Sequence, residues 1–151
     1  MPGPQNGSKT IWRIHKHEIR NQVCSLNLAK RLKELGVKQE SYANWIEADE
    51  IGVFPAVQLF ELAAFTKPIK KLASAFTVAE LGEMLPGKFD EWQIATQKEG
   101  EQWCCFASDG NDFVFEYAGE ADTEADARAK MLIYLLEHGL ISPNEKSSRD
   151  R

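Results

Sequence analysis

Residues 123–139, TEADARAKMLIYLLEHG, constrain the chain more than any other stretch, because they specify the start, the stop and the buried side of a helix at once. Thr123 stands where an N-cap hydroxyl can accept an orphan backbone N–H, with Asp126 three residues on in the manner of a capping box. Glu124 and Asp126 suit the positive end of the helix dipole, His138 suits the negative end, and Gly139 suits the closing left-handed position. Ala125, Ala129, Leu132, Ile133, Leu136 and Leu140 recur at three- and four-residue steps, so one stripe must be buried.

A surface for that stripe is written just upstream. Strands are predicted near 91–97, 102–107 and 113–118, separated by KEGE and SDGND, which carry the Gly and Asp that tight hairpins need. Alternation puts Trp92 and Ile94 on one face. It puts Phe113, Phe115 and Tyr117 on one face of the third strand, opposite Val114 and Glu116. The middle strand, WCCFA, is apolar on both sides, as a central strand is. Ahead of it, TVAELGEMLPG has Thr77 and Glu80 at capping-box spacing, Val78, Leu81 and Leu85 on one side, and Pro86-Gly87 as its end. Residues 77–141 therefore read as an acidic α-β-β-β-α domain of the α+β class, a helix–three-stranded antiparallel meander–helix sandwich with both helices on one sheet face.

Residues 23–76 read as a mainly helical basic segment in front of that domain. Ser25 is the predicted cap of a helix through Leu35, with Cys24, Leu28, Leu32 and Leu35 on one side and Gly36 as its stop. Residues 37–47 fit either a second helix or a short strand containing Tyr42, Trp45 and Ile46. Pro55 fits a first helical position before Val57, Leu59, Phe60, Leu62, Ala63 and Ala64; Pro68 then interrupts, and a short helical piece runs to Phe76. Residues 1–22 read as a flexible or weakly structured leader and 142–151 as a disordered tail.

Charge divides the 151 residues unevenly. Residues 1–76 hold 11 Lys and Arg against 7 Asp and Glu, whereas 77–140 hold 4 against 14. An acidic surface is the natural expectation for the second half: Asp109, Asp112, Glu116, Glu120, Asp122, Glu124 and Asp126, with Glu99 and Glu101, fall on hairpin ends, an outward strand face and the first turn of the last helix. Such a rim either keeps the domain soluble or docks a basic surface, including the DNA-binding cleft of another protein. No apolar run reaches the length of a membrane span, and the opening residues lack the apolar core of a secretory signal. Three cysteines, Cys24, Cys104 and Cys105, are odd in number and two are adjacent, which disfavours a disulfide framework and favours a reducing cytoplasm.

Other chemistry is thinly supported. No CxxC, HExxH or glycine-rich phosphate loop occurs, and His15 and His17 sit two apart, so no metal, cofactor or catalytic residue is predicted. The α-β-β-β-α order is that of the double-stranded-RNA-binding module, but that module needs a lysine cluster at the start of its last helix, and only Arg128 and Lys130 stand there among carboxylates. RNA binding by this face is rejected. LAKRLKELGVKQESYANWI resembles the helix-turn-helix phrase of phage-repressor and MerR-like regulators through Leu28, Ala29, Lys30, Arg31, Leu32, Gly36, Val37, Ser41 and Trp45. It departs from that phrase in placing Ala29 seven residues before Gly36, where the family has four. The alternative function is thus a DNA-binding regulator using residues 25–47, with Lys30, Arg31, Lys33 and Lys38 on phosphates.

Taken together, LAKRLKELGVKQESYANWI, AFTVAELGEMLP and EADTEADARAKMLIYLLEHGLI resemble a family of small uncharacterised proteins of bacteriophages and prophages. The resemblance implies a cytoplasmic accessory protein of a mobile element, without assigned activity or catalytic residues. The expected function is non-enzymatic binding of a host or phage protein with a basic surface, such as a nucleic-acid-handling or defence factor. Nucleic acid itself is disfavoured as a partner, and homo-oligomerisation is left open.

Overall fold

A threonine hydroxyl opens the last helix as its sequence requires: Thr123 Oγ1 accepts from the Asp126 N–H at 3.2 Å. The computed structural model describes residues 19–49, 51–57, 69–111 and 114–143, so the expectations on the leader before residue 19, on 58–68, on Asp112 and Phe113 and on the tail from 144 lie outside the described residues. In chain order the elements are α1 (Leu26–Glu34), β1 (Ala43–Ala48), β2 (Gly52–Val57), β3 (Ile69–Ala75), α2 (Val78–Met84), β4 (Lys88–Phe89), β5 (Trp92–Glu99), β6 (Gln102–Ser108), β7 (Val114–Ala121) and α3 (Glu124–Glu137). Helices with antiparallel sheets make the class α+β.

The second half follows the sequence closely. Thr77 and Glu80 form the complete capping box of α2. The meander β5-β6-β7 forms around Gly100 and Gly110, both with the positive φ that such turns favour in glycine. A two-residue strand, β4, was not expected; it adds to the free side of β5.

The helix arrangement differs from the expected sandwich. α3 alone packs broadly on the sheet, against β7, β6 and β5, while α1 and α2 pack on α3. A helix covered on both sides must be apolar nearly all round. Ala127, Met131 and Leu135 are accordingly buried beside Ala125, Ala129, Leu132 and Ile133, whereas Leu140 is left exposed. Where α3 crosses β7 the approach is close enough to exclude a side chain. A Cβ on Gly119 would lie 2.5 Å from the Ala127 carbonyl oxygen and 3.0 Å from the Met131 nitrogen.

The first half is corrected. Among the described residues it is not mainly helical: α1 forms as expected, but β1, β2 and β3 build a second antiparallel sheet in the order β2-β1-β3. Of the two readings of residues 37–47, the strand is the one formed. β1 is buried on both faces, as the middle strand of a covered sheet must be. Pro55 does not start a helix. It lies in β2 opposite Trp45, on an edge strand, where a missing N–H costs no ladder bond. The helical piece expected before Phe76 is β3.

No boundary at residue 76 divides the core. One apolar cluster runs from Val23, Leu32 and Trp45 through Phe76 and Leu81 to Cys105 and Leu135. Hydrogen bonds cross the same line: the Ser25 N–H donates to the Asp126 carboxylate at 2.7 Å, and the Tyr42 N–H donates to the Glu80 carboxylate at 3.1 Å. The seating of α3 on β7 depends on the close approach at Gly119. Gly119→Ala is expected to cost about 1–3 kcal/mol by overpacking, against little for Gly87→Ala, whose Cβ would meet no atom within 4 Å. Urea denaturation of the two variants checks this; equal midpoints would show that α3 can yield.

Candidate functional site

The seven acidic residues expected to form one rim are sorted by the fold into different jobs. Asp126 is turned inward: its carboxylate accepts the Ser25 backbone N–H at 2.7 Å. The reciprocal capping-box bond to Thr123 is not among those formed, and Asp126 is half-buried. Ser25 is the N-cap residue of α1, but its side chain makes no capping bond. Glu124 is half-buried and holds Arg128 Nη2 at 2.9 Å. Asp109 accepts the Asn111 N–H at 2.9 Å, which shapes the β6–β7 turn. Asp112 lies outside the described residues. Glu116, Glu120 and Asp122 remain exposed.

Strand register explains how the exposed ones gather. Glu99 pairs with Gln102 across β5 and β6, and Cys104 pairs with Glu120 across β6 and β7. Alternation sends Trp92, Ile94, Cys105, Ala107, Phe115, Tyr117, Gly119 and Ala121 towards the core. The opposite face shows Gln93, Ala95, Gln97 and Glu99 on β5. It shows Gln102, Cys104, Phe106 and Ser108 on β6, and Val114, Glu116, Ala118 and Glu120 on β7. α3 is the element that packs broadly on this sheet, and it lies on the core side. Glu99 and Glu120 converge with Gln102, Trp103 and Cys104 around a dimple of about 50 Å³. Their charge is felt by the half-covered Cys104, whose thiol is pushed up by burial first and then by Glu120 and Glu99. At the neighbouring edge, partial desolvation and the adjacent Glu116 carboxylate push the Tyr134 phenol up.

The residues of the helix-turn-helix alternative do not form a pair of helices. Its second helix is replaced by a turn and strand β1. Arg31 pairs with Glu34 at 3.1 Å and Glu137 at 3.0 Å, Lys33 donates to the Leu72 carbonyl at 3.2 Å, and Lys38 pairs with Glu40 at 3.2 Å. Lys30 is exposed on α1. The two basic residues of α3 are also committed, Arg128 to Val78 and Glu124, Lys130 to the Glu120 carbonyl at 2.7 Å.

Among the described residues no group of three or more His, Cys, Asp and Glu converges as a metal site requires, and no helix is long and apolar enough to cross a membrane. Cys24 and Cys105 are fully buried and free. Burial pushes Cys24 to about 12 and Cys105 to about 11, from an ordinary 9.0, although Thr96 and Arg128 pull Cys105 down. Neither is poised as a nucleophile. One feature escaped the sequence reading. Arg128 lines a cleft of about 300 Å³ between α2 and β5, and Gly82 has no Cβ to fill the space taken by its guanidinium. A lone Gly inside the α2 pattern was the available signal. Comparison with family models, curated proteins and solved structures finds no match to this chain.

Two outcomes follow from these environments. Replacing Glu99 and Glu120 by Gln removes the charges beside Cys104, so alkylation of that thiol at pH 8 should speed up roughly twofold or more; an unchanged rate would mean that the carboxylates do not converge on it. The buried thiols have folded-state values raised above 9.0, so their contribution is whole below pH 9.0 and is lost as pH rises towards about 11 and about 12. Urea resistance should therefore fall above pH 9.0, and less steeply in Cys24→Ala.

Proposed function

We propose that this protein is a non-enzymatic accessory protein of a phage or prophage that binds another protein, presenting the outer face of β5-β6-β7 to a basic surface on its partner. The observation that carries the reading is the composition of that face. Its twelve outward positions include Glu99, Glu116 and Glu120 and no Lys or Arg, while Cys104, Phe106 and Ala118 form a half-covered centre. An apolar centre inside a charged rim is the usual anatomy of a protein interface. A one-signed rim steers an oppositely charged partner and rejects a like-charged one. The resemblance to phage accessory proteins supports the same class of role, with a nucleic-acid-handling or defence factor of the host as the kind of target.

Size refines the reading. Three strands of about eight residues cover roughly 14 by 26 Å at ordinary strand spacings, or roughly 370 Å². A standard interface takes about 800 Å² from each partner. The partner must therefore extend past the sheet, towards exposed Asp122 and the Asp109 turn.

Zero-length carboxyl-to-amine cross-linking of the tagged protein in host lysate tests this. Cross-links are expected at Glu116 and Glu120, on a partner whose capture falls between about 0.1 M and about 1 M salt, where the screening length drops from about 10 to about 3 Å. The variant carrying Glu99→Lys, Glu116→Lys and Glu120→Lys, verified as folded by circular dichroism, should lose that partner. Retention of the same partner at the same yield would sink the reading.

A further inference from the structure

The four-stranded sheet has an unfinished edge. β4 pairs with β5 at two positions, Lys88 with Gln93 and Phe89 with Trp92. One further bond follows, from the Ile94 N–H to the Gly87 carbonyl at 3.2 Å, and Pro86 and Gly87 then carry the chain towards α2. Because Ile94 donates away from β6, strand alternation turns the N–H and C=O of Thr96 and Lys98 the same way. Among the described residues these groups meet no backbone partner.

What faces this edge is unusual. The cleft of about 300 Å³ runs beside Ala95 and Thr96, with Gly82, Leu85 and Gly87 opposite and the Arg128 guanidinium in its wall. Arg128 Nη1 donates to the Val78 carbonyl at 3.1 Å and Nη2 to Glu124 at 2.9 Å. Its Nε is shielded from solvent and has no partner. A guanidinium carries five N–H donors, so most of its capacity is unused, and an unpaired buried donor is a standing cost.

We propose that the β5 edge at Thr96 and Lys98 accepts an extended peptide from another chain, as an added strand, with a carboxylate of that peptide seated on Arg128. Unpaired strand groups recognise peptide backbone, which no small anion supplies. The carboxylate follows from the donors left over: Glu124 already balances the guanidinium's charge, so a singly charged acceptor that takes the unused N–H groups meets less repulsion than a dianionic phosphate. A second copy fits less well, because edge-to-edge pairing would bring two Arg128 and two Lys98 side chains together. This surface is separate from the acidic outer face, and either can fail alone.

The test is amide-resolved NMR of the full chain titrated with an N-acetylated alternating Val-Thr hexapeptide that ends in a free carboxylate. Saturable shifts at the Thr96 and Lys98 amides are expected, with slowed exchange of both. The same peptide with an amidated end should bind about tenfold more weakly, and the version N-methylated at alternate residues should not bind. Arg128→Gln should reduce the free-acid peptide to the affinity of the amidated one while leaving the amidated one unchanged; should that variant unfold, the three peptides on the native chain still decide. The proposal is overturned by unshifted Thr96 and Lys98 amides at millimolar peptide, or by equal binding of the N-methylated peptide. Shifts that grow with protein concentration alone would assign the edge to a second copy and overturn it likewise.

Discussion

Everything in the structure leans on the backbone at Cys24 and Ser25. Three parts of the chain far apart in sequence meet there: the Phe76 carbonyl takes the Cys24 N–H, the Asp126 carboxylate takes the Ser25 N–H, and the Cys24 carbonyl takes the Trp45 indole. In a region this buried, each group must find a partner or bear a desolvation penalty of about 1–3 kcal/mol. The bonds therefore act as alignment constraints more than as sources of net stability. They hold α1 against α3, seat Trp45 of the first sheet in the shared core, and remove any independence the two halves might have had.

The acidic character of the second half takes on meaning only through this geometry. Carboxylates that look equivalent along the chain serve a backbone junction (Asp126), an arginine (Glu124), a turn (Asp109) and open solvent (Glu116, Glu120, Asp122). The last group lies exposed, as do Glu99 and Glu101. Counting charges along the chain overstates the surface; counting those on one sheet face locates it. The same sorting applies to the basic residues, most of which are spent on carbonyls and carboxylates of their own chain.

How much of this could be read from the residues depends on where local chemistry decides the outcome. The capping box at Thr77, the cap at Thr123 and the glycine turns of the meander are local devices, and the elements they bound form where expected. The first sheet is different. β3, IKKLASA, has two lysines followed by a buried Ala-Ser-Ala run, so neither strand alternation nor strand-forming side chains announce it. Its strand state comes from pairing with β1 across a long sequence separation, an example of tertiary context overriding propensity. Pro55 misled for a related reason: its fixed φ suits a helix start and an edge strand alike. At the candidate site, outward Glu116 was legible from alternation, whereas the inward turn of Asp126 depended on where α1 would dock. Arg128 was invisible as a cleft residue because its surroundings come from α2 and β5.

Lys130 offers a last consequence. Its ammonium sits on the Glu120 carbonyl and blunts the β7 side of the sheet, while the β5 side is left short of a neighbour. A sheet with two open sides can be extended by copy after copy into a fibre, since each addition recreates the surface it consumed. A sheet with one open side behaves as a chain terminator: it can join once, and what it presents afterwards is closed.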